Sequence, residues 1–308
     1  MSKIITCGGS PLIYEDYLEQ NNYSKSTIAH YLKRIKEFTV WSKKYGIKAS
    51  EIDYKTCLKY IKYLQEKRIQ VQTINNHIVT LRNYFNYLIE INKRTENPIE
   101  KVSVKGTVKR VLHNLLDADE LEDLYYSYET EKFNKYANKK TKLTAKRNKI
   151  ITGLMVYQGL NITNLKSLLL EHLELYKGRI YVPSTKRNNS RTMELKSWQV
   201  MDLLEYINEI RPEIAKYNQI HNEELLIPQN HFNDLVRIGI VRNLKKINHK
   251  VTNVHHLRAS VIVNWLGQYN IRKVQYLAGH KYISSTENYK QDNLESLQEA
   301  VNEFHPLS

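Results

Sequence analysis

The sequence predicts a mainly α-helical protein of two domains, the second carrying a small β-hairpin sheet among its helices. Three observations lead there. The first hundred residues hold four stretches whose apolar residues recur at helical spacing. Asn97-Pro98 and the basic, aperiodic run after it interrupt that pattern, because the residue before a proline is biased away from helix. Beyond the interruption the helical pattern returns and gives way once, to two strand-like runs around a turn-rich tip. At 308 residues the chain is long for one compact core and comfortable for two.

The elements follow in order. Ser10-Pro11 opens a helix, with Ser as N-cap and Pro at the first helical position. Ser26-Thr27 precedes Ile28, Tyr31, Ile35, Phe38 and Trp41, an amphipathic helix that stops near Gly46. Asp53 caps a third helix carrying Cys57, Leu58, Ile61 and Leu64. Thr73 caps a fourth, with Ile74, Ile78, Leu81, Tyr84, Phe85 and Leu88. These four make an N-terminal helical domain over residues 8–98. Residues 99–112 read as a basic interdomain linker, and residues 113–308 as the second domain. Asp117-Ala118-Asp119-Glu120 starts that domain with a cap and an acidic first turn. Residues 130–146 form a basic surface loop or helix extension, and residues 147–170 are helical with a break at Gly159. Arg179–Val182 and Thr192–Leu195 flank the tip Lys186-Arg187-Asn188-Asn189-Ser190. Helices then run to the C-terminus, where Leu294, Leu297, Val301 and Phe304 give a short amphipathic segment. Trp41, Trp198 and Trp265 sit at apolar helical spacing and are assigned to cores.

A hydrophobic share of 41% supports real cores, and the mean hydropathy of −0.57 is that of a soluble protein. No run approaches the roughly 18 apolar residues of a membrane helix, and the N-terminus shows no secretory h-region, so a cytoplasmic protein is expected. Cys7 and Cys57 fit neither a disulfide framework nor a zinc site, and no metal or other cofactor is expected. The formal net charge is +15, which points to nucleic acid. Residues 1–110 carry 20 Lys/Arg against 10 Asp/Glu, and the remainder 27 against 22, so the first third is the more basic per residue. Lys33 and Lys36 lie on a polar helix face, Lys105, Lys109 and Arg110 in the linker. All five are candidates to face phosphates, as are Arg187 and Arg191 at the hairpin.

The chemistry concentrates in the last third, as His255-His256-Leu257-Arg258, then Leu277-Ala278-Gly279-His280, then Tyr289. His255 and Arg258 share one face if helical. An arginine fork suits phosphate oxygens, and a histidine beside it exchanges protons near neutral pH. A tyrosine is a poor nucleophile by itself, since only ~0.1% is phenolate at pH 7. Two histidines and an arginine are what would activate it.

The order His-x-Leu-Arg, then Leu-x-Gly-His, then eight residues and Tyr289 resembles the signature of the tyrosine recombinases, the phage integrase and XerC/XerD group. The likeness covers roughly residues 8–300. It implies a SAM-like four-helix core-binding domain followed by a mixed, mostly helical catalytic domain. It implies Tyr289 as nucleophile giving a 3′-phosphotyrosyl intermediate, Arg258 on the phosphate, and His255 as general base. His280 would bond a phosphate oxygen, and Lys186 at the hairpin tip would be the general acid. The implied partner is double-stranded DNA with inverted-repeat half-sites, bound by a homodimer and joined in a homotetrameric synapse, with accessory proteins in some systems. A bacterial or phage origin is implied too.

One departure stands out. The family opens this domain with T-G-L-R-x-x-E-L, whose Arg is the first phosphate clamp. Here the segment is Gln158-Gly159-Leu160-Asn161-Ile162-Thr163-Asn164-Leu165, with Asn161 for Arg and Asn164 for Glu. Both charged members are lost together, so no buried carboxylate is stranded. The change leaves an alternative open: a catalytically impaired paralogue acting as a site-specific DNA-binding regulator.

Overall fold

The structure is a computed structural model that describes residues 11–48, 52–106, 114–128, 138–220, 222 and 224–290. The chain divides into two compact units, with the boundary between Lys109 and Arg110.

The first unit is built from α1 (Pro11–Gln20), α2 (Lys25–Lys44), α3 (Tyr54–Glu66) and α4 (Val71–Glu90). Asp53 caps α3 as expected, accepting from Thr56 N at 2.8 Å. Two starts differ from expectation. The cap of α2 is Ser24, which accepts from Thr27 N at 3.3 Å, so Ser26 and Thr27 lie inside the first turn. α4 begins at Val71 without a side-chain cap, one turn's edge before Thr73. The expected cap Ser10 lies outside the described residues. Phe38, Trp41, Tyr60, Ile78 and Phe85 form the centre of the unit, whereas Leu58 is 40% exposed and not part of it. Residues 99–106, read as linker, lie along this unit. Ile99 is fully buried, Asn75 exchanges two hydrogen bonds of 2.9 Å with the backbone of Val104, and Arg82 donates to Val102 O. An aperiodic segment is thus held by side chains that supply the backbone partners a helix would have supplied.

The second unit starts with α5 (Ala118–Tyr126), whose Asp117–Glu120 capping box is complete. α6 (Lys139–Val156) absorbs the end of the basic stretch, and residues 129–137 lie outside the described set. The chain breaks at Gly159 (φ +59°) and resumes as α7 (Ile162–Lys166). A side chain at Gly159 would meet Trp265 and Val261 at 3.2 and 3.3 Å, so glycine serves both the turn and the close packing. β2 (Arg179–Val182) and β3 (Arg191–Glu194) form the expected antiparallel pair, in register Ile180 opposite Met193. A two-residue β1 (Leu173–Glu174) adds a third strand on the β2 side.

α8 (Ser197–Glu205) runs through a π-helical turn into α9 (Arg211–Asn218). α10 (Phe232–Asp234) likewise runs through a π turn into α11 (Val241–Ile247). α12 (Val254–Gln268) and α13 (Ile271–Ala278) follow, and residues 284–290 are helical. Trp198 departs from its assignment: it is 37% exposed and touches Tyr157. Gln199 is buried in its stead, because it and Gln158 exchange two amide hydrogen bonds of 3.0 Å. Trp41 is buried and Trp265 packs partly buried, as expected. The amphipathic segment at 294–304 lies outside the described residues. No described helix is long and apolar enough to cross a membrane.

Candidate active site

α12 begins where it does because Asn253 accepts from His256 N at 3.0 Å and closes the first turn. That start leaves His255 exposed and turns Arg258 into the protein, where 6% of it remains accessible. Arg258 Nη1 donates to Gly159 O at 2.5 Å, and Nη2 donates to Ala278 O at 2.6 Å. The Gly159 carbonyl lies in the turn between α6 and α7, and the Ala278 carbonyl is at the end of α13, with Gly279 in the left-handed cap at φ +69°. Arg258 is therefore oriented by backbone, and no Asp or Glu among the described residues pairs with it.

His280 sits beside it, with Nε2 3.3 Å from Arg258 Nη2 and Nδ1 2.9 Å from Thr286 Oγ1. Arginine only donates, so Nε2 is the acceptor and the ring proton is on Nδ1, facing Thr286. Burial first, then the charges of Arg258 and Arg191, push His280 from 6.5 down to about 4. It is a neutral imidazole at physiological pH.

Tyr289, on the 284–290 helix, completes the cluster. Its ring stacks on His280, with centroids 5.8 Å apart and planes at 9°, and lies edge-on to His255 at 6.4 Å. Its hydroxyl is hydrogen-bonded to the Arg258 guanidinium. That contact works against the burial that lowers the Arg258 pKa. Four of the five reactive residues named from the sequence are thus brought together.

The fifth, Lys186, is exposed at the hairpin tip, with no hydrogen bond or ion pair among the described residues. The tip is nonetheless fastened to the site. Asn188 bridges to His280 as an isolated antiparallel pair, and Asn189 N donates to Gly279 O at 2.8 Å. Arg187 is exposed beside Lys186, but Arg191 is not: at the head of β3 it is 2% exposed. Its guanidinium lies against the 277–280 turn, and a Cβ on Gly279 would stand 2.5 Å from Arg191 Nη1. Burial first, then Arg258, push Arg191 down to about 9, still charged at neutral pH. Among the described residues none of Arg191 Nε, Nη1 or Nη2 has a hydrogen-bond partner.

Asn161 and Asn164 occupy the departed arginine and glutamate positions with a local purpose. Asn161 Oδ1 caps α7 by accepting from Asn164 N at 2.9 Å, a task for which asparagine is among the best residues. Asn164 is fully buried and accepts from Asn188 Nδ2 at 3.3 Å, linking α7 to the hairpin.

Lys33, Lys36 and Lys105 are exposed, whereas Lys109 and Arg110 lie outside the described residues. Among the described residues no group of three or more His, Cys, Asp or Glu is placed to hold a metal ion. Sequence reasoning missed Thr286, Asn188 and the two carbonyls that hold Arg258. The Gly159 break and the Gly279 cap were visible signals for the carbonyls, but nothing in the sequence singled out Thr286.

Residues 115–296 match the model of the phage integrase family, and residues 13–92 match that of the phage integrase N-terminal SAM-like domain. The chain is 24% identical over 302 residues to tyrosine recombinase XerC of Bacillus pumilus, covering 96% of this chain and 95% of the relative. It is 24% identical over 305 residues to tyrosine recombinase XerD of Staphylococcus haemolyticus, covering 96% and 98%. Among solved structures, the fold is similar to XerH site-specific recombinase bound to a palindromic difH substrate, with TM-score 0.69, 17% identity, and 96% and 84% of the two chains covered. It is also similar to a lambda integrase dimer bound to a COC′ core site, with TM-score 0.60, 16% identity, and 92% and 76% covered.

Proposed function

The chain belongs to the phage integrase family, and from that membership we propose that it is a site-specific DNA recombinase or integrase working through a 3′-phosphotyrosyl intermediate. The observation that carries the reading is the assembly of Tyr289, Arg258, His280 and His255 in one cluster, from two segments more than twenty residues apart. A protein that only occupied DNA would gain little from that cluster, and this weighs against the regulator alternative.

In the proposed reaction Tyr289 Oη forms a bond to the scissile phosphorus and the bond from phosphorus to the 5′-oxygen breaks. The phenol proton passes to His255, whose ring is already against Tyr289. The leaving 5′-oxygen takes a proton from Lys186, which DNA binding must bring to the site. Arg258, preset by two carbonyls, meets the charge on the non-bridging oxygens without reorganising at the moment of reaction. Neutral His280 buttresses Arg258 and Tyr289. Attack by a 5′-hydroxyl from a second duplex reverses these steps and rejoins the strands. The phosphotyrosine stores the bond energy, so no nucleotide is consumed.

The partner is double-stranded DNA, bound largely through phosphates. The lambda integrase dimer on its COC′ core site and XerH on its palindromic difH substrate support a homodimer on inverted half-sites. A homotetrameric synapse is the corresponding exchange complex. The test is a nicked duplex carrying the cognate site, from which the cut segment diffuses away. A denaturant-resistant protein–DNA adduct is expected. Specific binding with no adduct at any pH would sink the enzyme reading.

A further inference from the structure

Arg191 has the features of a ligand-binding cation and lacks those of a structural one. It is 2% exposed, charged, and packed with its guanidinium against Gly279, and none of its guanidinium nitrogens has a partner among the described residues. Burying a cation without an acceptor is costly, and placing it near a second buried guanidinium adds repulsion. Arg258 is that neighbour, the charge that acts on Arg191 most after burial itself. Among the described residues no carboxylate balances either. The two arginines reach the 277–280 turn together. Arg258 donates to Ala278 O and touches His280, while Arg191 lies against Gly279, where only the absence of a side chain leaves it room. Two buried positive charges flanking one turn, beside a tyrosine hydroxyl, describe a cradle for a single anion.

Resting on the strand-cleavage reading above, we infer that Arg191 is the second arginine on the scissile phosphate, entering from β3 and supplying the charge that Asn161 does not. Three connections hold it there. β3 begins at Arg191 and pairs Val182 opposite it, Asn189 N bonds Gly279 O, and Tyr276 Oη accepts from Thr192 N at 3.1 Å. The site then has two guanidinium groups again, with the second on the hairpin that also carries Lys186. The phosphate's arrival gives Arg191 the acceptors it lacks, so the orphaned charge is a feature of the DNA-free state.

The experiment compares wild type with Arg191→Met and Arg191→Lys on two nicked duplexes, one with the natural scissile phosphate and one with a methylphosphonate there. On the natural phosphate, Arg191→Met is expected to lose about 10²–10³ in cleavage rate, the usual effect of deleting one preorganised donor. On the methylphosphonate the loss should collapse, because its neutral phosphoryl group has no charge for the guanidinium to meet. Arg191→Lys should fall between. Arg191→Met should also melt no lower than wild type, since an uncompensated buried charge has been removed. Wild-type rate in Arg191→Met, or an equal fold-loss on both duplexes, overturns the inference. So does a loss accompanied by a lowered melting temperature, which marks a structural strut. If wild type leaves the methylphosphonate uncut, the natural-phosphate rate and the melting temperature decide. If wild type forms no adduct with either duplex, it is the strand-cleavage reading that fails.

Discussion

At Arg258 the protein solves a common difficulty, a buried guanidinium, without a carboxylate among the described residues. A turn carbonyl, a helix-terminal carbonyl and a neutral histidine orient it and leave its charge uncancelled. Asn161 shows the complementary case, a charged position converted to a helix cap. Asn161→Arg should therefore cost about 1 kcal/mol through loss of that cap. It should leave wild-type cleavage unimproved yet raise the rate of Arg191→Met. A double-mutant cycle on adduct formation measures that coupling, and strict additivity would count against a shared phosphate. His280 gives a pH signature. It stays neutral in the folded chain down to about pH 4, while the unfolded chain takes up a proton near 6.5. Between those values the unfolded state binds more protons, so stability is full above 6.5 and falls as pH drops toward 4. A shift of this size corresponds to roughly 3 kcal/mol. Melts at pH 4.5 and 7 should show the loss in wild type and a smaller one in His280→Gln; equal losses would mean His280 is not the group responsible. The order and spacing of His255, Arg258, His280 and Tyr289 were legible because they are local in sequence. Arg191 was legible only as another basic hairpin residue, since its burial depends on a turn 88 residues later.

Two short elements, the β2–β3 hairpin and the 277–280 turn, position the chemistry by gripping one another. Gly279 is the point of contact, with a left-handed backbone and Arg191 where a Cβ would go. Gly279→Ala should cost about 1–2 kcal/mol from backbone strain alone. It should also displace the guanidinium, so cleavage should fall about as far as in Arg191→Met. A stability loss with full cleavage would show that the close approach is incidental. Most helices and the hairpin could be read from apolar period, caps and turn residues. Their starts were less readable, as Ser24 and Val71 show, because several Ser and Thr residues compete for one cap. Trp198 and Gln199 exchanged their expected places because a pair of buried amides satisfied one another, a tertiary event invisible to periodicity. β1 has only two residues, too short for any alternation to announce it.

Across the whole molecule, charge decides how DNA is met. The net +15 is spread over both units, with exposed Lys33, Lys36 and Lys105 in the first and Lys186 and Arg187 in the second. If six to ten phosphates are engaged, affinity should drop about 10³–10⁵ between 50 and 200 mM salt. Replacing Lys33 or Lys36 by Gln should weaken binding alike on cognate and unrelated duplexes and lower the salt slope by about one. A loss confined to the cognate site would place these lysines on bases instead. The central claim concerns one covalent bond, and locating that bond tests it most directly. The adduct formed on the nicked duplex would be digested with protease and nuclease and the nucleotide-bearing peptide identified by mass spectrometry. The account predicts a nucleotide joined through its 3′-phosphate to Tyr289, and no adduct from Tyr289→Phe. A nucleotide on any other residue, or an undiminished adduct from Tyr289→Phe, would contradict it.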